Sequence, residues 1–275
     1  MATRRIRWAI GRVLSLKFFR RLNAQLANPA HFYWSVLLKL VPNLHNRPLT
    51  LEFRDGRVFF VRSFMTLFIF EEIFLTGVYD IDIQCVESIL DIGANTGLFV
   101  LRAKERWPDA KIVAFEPEPG NYAALCETIK ANEMKGVTAV QAAVAAEGGF
   151  VMLYRDPRNI GRHSIVFKQS GDSLKVPSRT ISDALSLCPN GRCDLMKVDC
   201  EGAEDSIFRC LDAELAARIG TIIYEPSEGY SVTELNGCLE ALGFKISTAK
   251  GNVIARWHAG GGRTDSRWPA NKPAL

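Results

Sequence analysis

Apolar and polar positions over the first 87 residues follow two different periods. Ile6, Ile10, Val13 and Leu14 recur at helical spacing among arginines, which predicts a basic amphipathic helix over residues 4–27. Asn28 and Pro29 punctuate its end. A second apolar block covers 31–41 and stops at Pro42, again helix-like. The runs 49–53 and 58–61 are short and rich in strand-forming residues. Arg54-Asp55-Gly56-Arg57 separates them, and the pair predicts a β-hairpin. Helical spacing returns over 67–79, where Glu71 and Glu72 lie.

From residue 88 the pattern becomes strands alternating with helices, as in an α/β sheet. Strands are predicted at 88–92, 111–115, 137–144, 195–198 and 221–224. Helices are predicted at 98–107, 121–132, 181–187, 203–211 and 232–242. An extra strand at 150–155 leads into an irregular insertion running through Pro177. The runs 244–248 and 253–257 predict a closing antiparallel pair. The end of the chain from Gly260 is rich in Gly and Pro and reads as loose. These boundaries divide the chain into an extension (1–64), a main domain (65–258) and a tail (259–275).

Charge sharpens this division. The 275 residues carry a formal net charge of +4. Residues 1–51 hold nine Lys/Arg and no acid, whereas 52–250 are net acidic by eight charges. The first 27 residues therefore read as a membrane-surface element, a lid over a pocket of the main domain, or a contact in a homodimer. The acidic body argues against a nucleic-acid partner, because it would repel phosphates. Seven scattered cysteines without a CxxC pair predict reduced thiols in a cytoplasmic protein, with membrane association through the N-terminal segment left open. Basic residues interrupt every stretch that could serve as an export signal, and no segment reads as transmembrane.

The chemistry concentrates in Ser88-Ile-Leu-Asp-Ile-Gly-Ala-Asn-Thr-Gly97, which compresses a strand, a tight turn and a helix start into ten residues. Gly93 lets the backbone turn without a Cβ clash, and Gly97 permits close helix packing. The Gly-x-x-x-Gly spacing differs from the dinucleotide fingerprint and lacks the Lys of a phosphate loop. A ligand without pyrophosphate needs fewer converging backbone donors. Glu116 ends the neighbouring strand, where an acid can accept both ribose hydroxyl hydrogens.

Four segments occur in order: Asp91-Ile-Gly-Ala-Asn-Thr-Gly97, Phe115-Glu-Pro-Glu-Pro119, Val176-Pro177 with Thr180-Ile-Ser-Asp-Ala-Leu185, and Leu195-Met-Lys-Val-Asp-Cys-Glu-Gly-Ala-Glu204. Together they resemble the FkbM-type methyltransferases, a branch of the class I S-adenosylmethionine enzymes, over about residues 65–250. The resemblance implies a doubly wound, seven-stranded, mostly parallel α/β sheet. It also implies methyl transfer to a hydroxyl oxygen of a sugar, glycan, polyketide or related metabolite. Asp91, Gly93, Ala94, Asn95 and Gly97 match the loop around the methionine part of S-adenosylmethionine, and Glu116 matches the ribose acid. Gln141-Ala-Ala-Val-Ala-Ala146 offers no acidic or amide side chain for the adenine amine where many relatives have one.

Candidate groups for the acceptor proton follow from position. Asp199 ends its strand, Glu201 follows in the turn, and Glu225 ends the next strand. Glu204 reads as a helix-terminus neutraliser. Asp199 is the preferred acid/base or orienting group. His163 belongs to the insertion expected to cover the site, and an imidazole titrates near neutrality. Arg158, Arg162, Lys168 and Arg179 could meet an anionic acceptor. Nothing in the carboxylate spacing demands a metal. A nicotinamide dehydrogenase, a nucleic-acid methyltransferase and a non-catalytic cofactor-binding protein remain as alternatives, separable by which ligand binds and whether methyl transfer occurs.

Overall fold

The computed structural model describes residues 15–40, 49–155, 163–166, 172–227 and 229–258. The predicted helix before Ser15, the tail from 259, and Arg158, Arg162 and Lys168 lie outside these residues. Helices α1 (Leu16–Gln25) and α2 (Pro29–Leu40) lead into the hairpin β1 (Leu49–Glu52) and β2 (Val58–Val61). Ser15 starts α1 by accepting the Phe18 amide. Helix α3 (Phe64–Phe70) is fixed by a reciprocal capping box between Ser63 and Thr66. The sequence pattern over 67–79 predicts a plain helix, but the chain widens to a π-helical turn over Glu71–Thr76. Left-handed Gly77 ends it, returning its N–H to the Glu72 carbonyl.

The main sheet comprises β3 (Ser88–Ile92), β4 (Lys111–Phe115), β5 (Val137–Val140), β9 (Cys193–Val198), β10 (Ile219–Tyr224), β11 (Phe244–Ala249) and β12 (Asn252–Trp257). Its order is β11-β12-β10-β9-β3-β4-β5. Strand β12 is antiparallel to both its neighbours, while β10, β9, β3, β4 and β5 pair in parallel. The chain first builds outward from β3 to β5, then returns to place β9 on the other side of β3. That reversal opens a crevice at the carboxyl ends of β3 and β9.

Helices cover both faces. Alternate strand residues divide between two apolar cores: Ile89, Leu195 and Ile223 face one, Leu90, Met196 and Ile222 the other. The first core is shared with α1, α2, the hairpin, α3 and α4 (Leu98–Arg106). Phe32 of α2 packs against Phe70 of α3 with ring centroids 5.7 Å apart. Helix α5 (Pro119–Ala131) follows β4. The second core takes α6 (Ile181–Ser186), α7 (Glu204–Phe208), α8 (Ala213–Ala216) and α9 (Val232–Ala241).

Two sequence expectations are corrected here. The predicted strand 137–144 breaks after Val140, where Ala142 donates back to the Val140 carbonyl. The short β6 (Ala143–Val144) then leaves the main sheet and pairs with β8 (Ser173–Arg179). The insertion expected to be irregular through Pro177 contains β8 itself, antiparallel to β7 (Gly149–Tyr154). Pro177 is tolerated because it faces Phe150 at a pair that exchanges no ladder bonds. Tyr154 bonds Ser164 on the far edge, so Phe150, four residues earlier, also points its amide away from β8.

Candidate functional site

A cavity of about 840 Å³ lies at the crevice between the β3 and β9 ends. One wall is the turn from β3 to α4. Gly93, Asn95 and Gly97 all adopt positive φ, at 82°, 50° and 89°. The Gly93 and Ala94 amides both donate to the Phe115 carbonyl, which locks the turn onto β4. A Cβ on Gly93 would sit 1.9 Å from the Asp199 carbonyl oxygen, so glycine allows the two turns to touch. A Cβ on Gly97 would lie 2.9 Å from Leu125, so that glycine serves the packing of α5 against the turn.

Glu116 lines the same wall. Its Oε2 accepts the Asn95 amide at 2.8 Å, and its Oε1 accepts the Glu118 amide at 2.9 Å. Burial lifts its pKa to about 7 against these two hydrogen bonds. Each carboxylate oxygen has a second lone pair to offer. Glu118 caps α5 through the Asn121 amide. Ala142, Ala143 and Val144, released by the break after β5, also line the cavity.

Charged side chains build the opposite wall. Asp91 and Lys197 are direct cross-strand partners in the middle of the sheet. Both are buried, and the Lys197 ammonium stands 3.1 Å from Asp91 Oδ1. Lys197 also donates to the Gly93 carbonyl at 2.7 Å and lies 3.5 Å from Asp199 Oδ2. Burial opposes its charge, but Asp91 and Asp199 outweigh that and raise its pKa above the ordinary lysine range. Burial in turn raises the pKa of Asp91, against the pull of Lys197. The rings of Tyr79 and Phe99 cover the ammonium at 5.5 and 5.7 Å. The buried Tyr79 hydroxyl donates to Asp199 Oδ2 at 2.8 Å. Burial, then the negative charges of Asp199 and Glu225, raise the tyrosine's pKa.

The turn after β9 is held from inside. Glu204 is fully buried, and its two oxygens accept the Cys200 and Gly202 amides at 2.9 and 2.8 Å. Glu204 thus sits in the first turn of α7, as expected of an acid that neutralises a helix N-terminus, and it also ties the preceding turn. Glu201 takes positive φ, and its carbonyl accepts the Ser164 hydroxyl at 2.6 Å. Glu225, at the tip of β10, is exposed as a residue. Partial burial of its carboxyl group, followed by the charge of Asp199, still pushes its pKa to about 7.

The structure brings Gly93, Ala94, Asn95, Glu116, Asp199, Glu201 and His163 to the cavity surface. Asp91 and Gly97 stand behind that surface and shape it. Among the described residues, none of α1 or α2 lines the cavity. The lid reading concerned residues 1–27, of which 1–14 lie outside the described residues; the cavity is walled by Met65, Phe68 and Ile69 of α3 and by Glu72 and Ile73 of the π-turn. Sequence reasoning passed over Tyr79 and Lys197. One signal was available: a lysine and an aspartate each interrupt an otherwise apolar parallel strand, and such interruptions persist only as a pair. Tyr79 lies 120 positions from Asp199 and gave none.

The sheet order, its one reversed strand and the glycine turn at the switch point define a Rossmann-like fold of the class I methyltransferase kind. Residues 91–246 match the methyltransferase FkbM domain, and the chain belongs to that family. The chain is 29% identical over 235 residues to methyltransferase sdnD of Sordaria araneosa, covering 74% of this chain and 91% of that protein. It is likewise 29% identical over 206 residues to methyltransferase 1 of Beauveria bassiana (strain ARSEF 2860), covering 66% and 82%. Among solved structures, the methyltransferase FkbM of Methylobacillus flagellatus KT is similar at 13% identity and a TM-score of 0.49, over 91% of this chain and 60% of that one.

Proposed function

We propose that the protein transfers a methyl group from S-adenosylmethionine to a neutral hydroxyl oxygen of a sugar, polyketide or related metabolite. The observation that carries this reading is the two-walled cavity: a backbone-lined glycine turn with a buried carboxylate on one side, and acceptor-facing carboxylates on the other. Its volume falls in the range of ligand pockets, roughly 300–1,000 Å³. The residues present fit the donor. Glu116 keeps lone pairs for two ribose hydroxyls, and Gly93 and Ala94 expose backbone without side-chain bulk beyond the Ala94 Cβ. When bound, the donor supplies an activated methyl group on a sulfonium.

The chain's own residues then have three tasks. Gly93, Ala94, Asn95 and Glu116 hold and orient the nucleoside, and orientation supplies roughly 7–11 kcal/mol in well-aligned reactions. The aromatic and aliphatic wall from α3, Tyr79 and Phe99 excludes water. The third task is to receive the acceptor's proton. Asp199 is already engaged by Tyr79 and Lys197, so it orients the acceptor hydroxyl. Glu225, with a pKa of about 7, is better matched to take the proton at neutral pH. Glu201 and His163 line the rim and contribute to acceptor fit. Three carboxylates at this rim favour an uncharged acceptor over a phosphate, and the same charges oppose nucleic acid.

Titration calorimetry tests the donor half: S-adenosylmethionine and its demethylated product should bind, and NAD should not. Tighter binding of NAD would reject the proposal. Incubation with radiolabelled donor and a panel of sugar and polyketide alcohols tests the acceptor half; label transferred only to amines or nucleic acid would reject hydroxyl specificity.

A further inference from the structure

We propose that the outer face of α1 and α2 docks the protein peripherally on an anionic lipid surface. Both helices bury one side in the first core. Phe18 and Leu22 of α1 and Phe32 and Val36 of α2 are buried, and the Phe18 and Phe32 rings lie 5.5 Å apart. The opposite sides are apolar as well. Leu16 and Phe19 of α1 are 64% and 49% exposed, and Trp34 and Leu37 of α2 are 55% and 51% exposed. Each pair is three residues apart and so shares one helix face. These are four of the eight large hydrophobic side chains left in solvent among the described residues.

Charge identifies the occupant. Lys17 and Arg20 are exposed on α1, beside Leu16 and Phe19. No acid precedes Glu52, while residues 52–250 carry a net charge of −8. An anionic surface therefore attracts the N-terminal face and repels the body, which fixes one orientation. The boundary between headgroups and acyl chains provides what this face requires: negative charge around an apolar layer able to take Leu, Phe and Trp side chains. A second copy docked on the same face would bring the exposed Lys17 and Arg20 of each copy against those of the other in an isologous contact. A nucleic acid would match the charge but leave Leu16 and Leu37 without an apolar partner. Among the described residues no helix is long and apolar enough to cross a membrane.

Vesicle flotation of the full chain tests this directly, using phosphatidylcholine vesicles with and without phosphatidylserine. The chain should float with the anionic vesicles at low salt and lose them as salt rises. The double variant Lys17→Gln with Arg20→Gln should weaken binding about fivefold for each basic side chain removed. Phe19→Ser with Trp34→Ser should abolish flotation while donor binding stays at the parent value. Should that apolar variant fail to fold, the basic pair decides alone, since both its positions are in solvent. Failure of the parent to float with anionic vesicles overturns the proposal, as does parent-like flotation of the variants. A parent that is dimeric by light scattering, and monomeric once Phe19 and Trp34 are replaced, would assign the face to a second copy instead. None of these outcomes depends on the identity of the methyl acceptor.

Discussion

The two walls of the cavity are built from different materials. On the β3 side, position comes from backbone: three positive-φ residues within five, two amides sharing the Phe115 carbonyl, and a glycine pressed against a neighbouring turn. On the β9 side, position comes from side chains drawn from distant segments, with Lys197 as the hub for Asp91, Asp199 and the Gly93 carbonyl. A backbone wall suits a ligand part that does not change, the role proposed above for the donor. A side-chain wall can be altered one residue at a time without disturbing the other wall. The hydrogen bond from Lys197 to the Gly93 carbonyl helps join the two walls, so the glycine turn and the carboxylates share a common support.

The largest test of this contrast is Gly93→Ala. The added methyl would meet the Asp199 carbonyl at 1.9 Å on a backbone at φ 82°. It should therefore damage both walls at once, with donor binding undetectable by calorimetry and a lowered thermal midpoint. Next in size is Asp91→Ala, which removes the closer of the two carboxylates from the buried Lys197 ammonium and leaves it only the partly exposed Asp199. Chemical denaturation should show a loss of about 3–5 kcal/mol. The double variant Asp91→Leu with Lys197→Met should recover most of that stability without recovering activity, because the hub is gone.

Smaller effects separate the walls. Glu225→Gln should lower kcat/KM about a hundredfold while leaving donor affinity unchanged. With donor saturating, the parent's kcat/KM for the acceptor should rise with pH through about 7 as the Glu225 carboxyl loses its proton, and this inflection should vanish in the variant. Glu116→Gln should do the reverse, weakening donor binding roughly tenfold to a hundredfold with the acceptor's KM little changed. Here too the sign is set by a raised pKa. Protonation below about pH 7 removes accepting capacity from Glu116, so parent donor affinity should fall as the solution is acidified, and the variant's should not. A Glu225 variant with weakened donor binding would show that the walls are not separable in this way.

The same contrast explains what could be read from the chain. The Gly93 to Gly97 turn and Glu116 were legible because their geometry is local: a glycine at fixed spacing after an apolar strand leaves few conformations. Strand–helix alternation gave the sheet elements within a residue or two at most edges, since burial on both faces writes continuous apolar runs. The break at Gln141 was not legible. Val137 to Val144 is apolar throughout apart from Thr138 and Gln141, and only pairing with β8 draws Ala143 and Val144 out of the sheet. Nor was the π-turn at Glu71, which keeps a helical polarity pattern while changing its hydrogen bonds.

By itself, then, the sequence determined most strands of the main sheet, the glycine turn, the carboxylates at the strand tips and the basic, acid-free N-terminal segment, because each follows from backbone sterics, periodicity or net charge over short stretches. Only the tertiary structure decided that Tyr79 meets Asp199, that Lys197 joins Asp91 to Gly93, and that α1 and α2 stand outside the cavity. Those contacts link positions scores of residues apart, and their stability comes from burial and pairing that exist only once the sheet has closed around them.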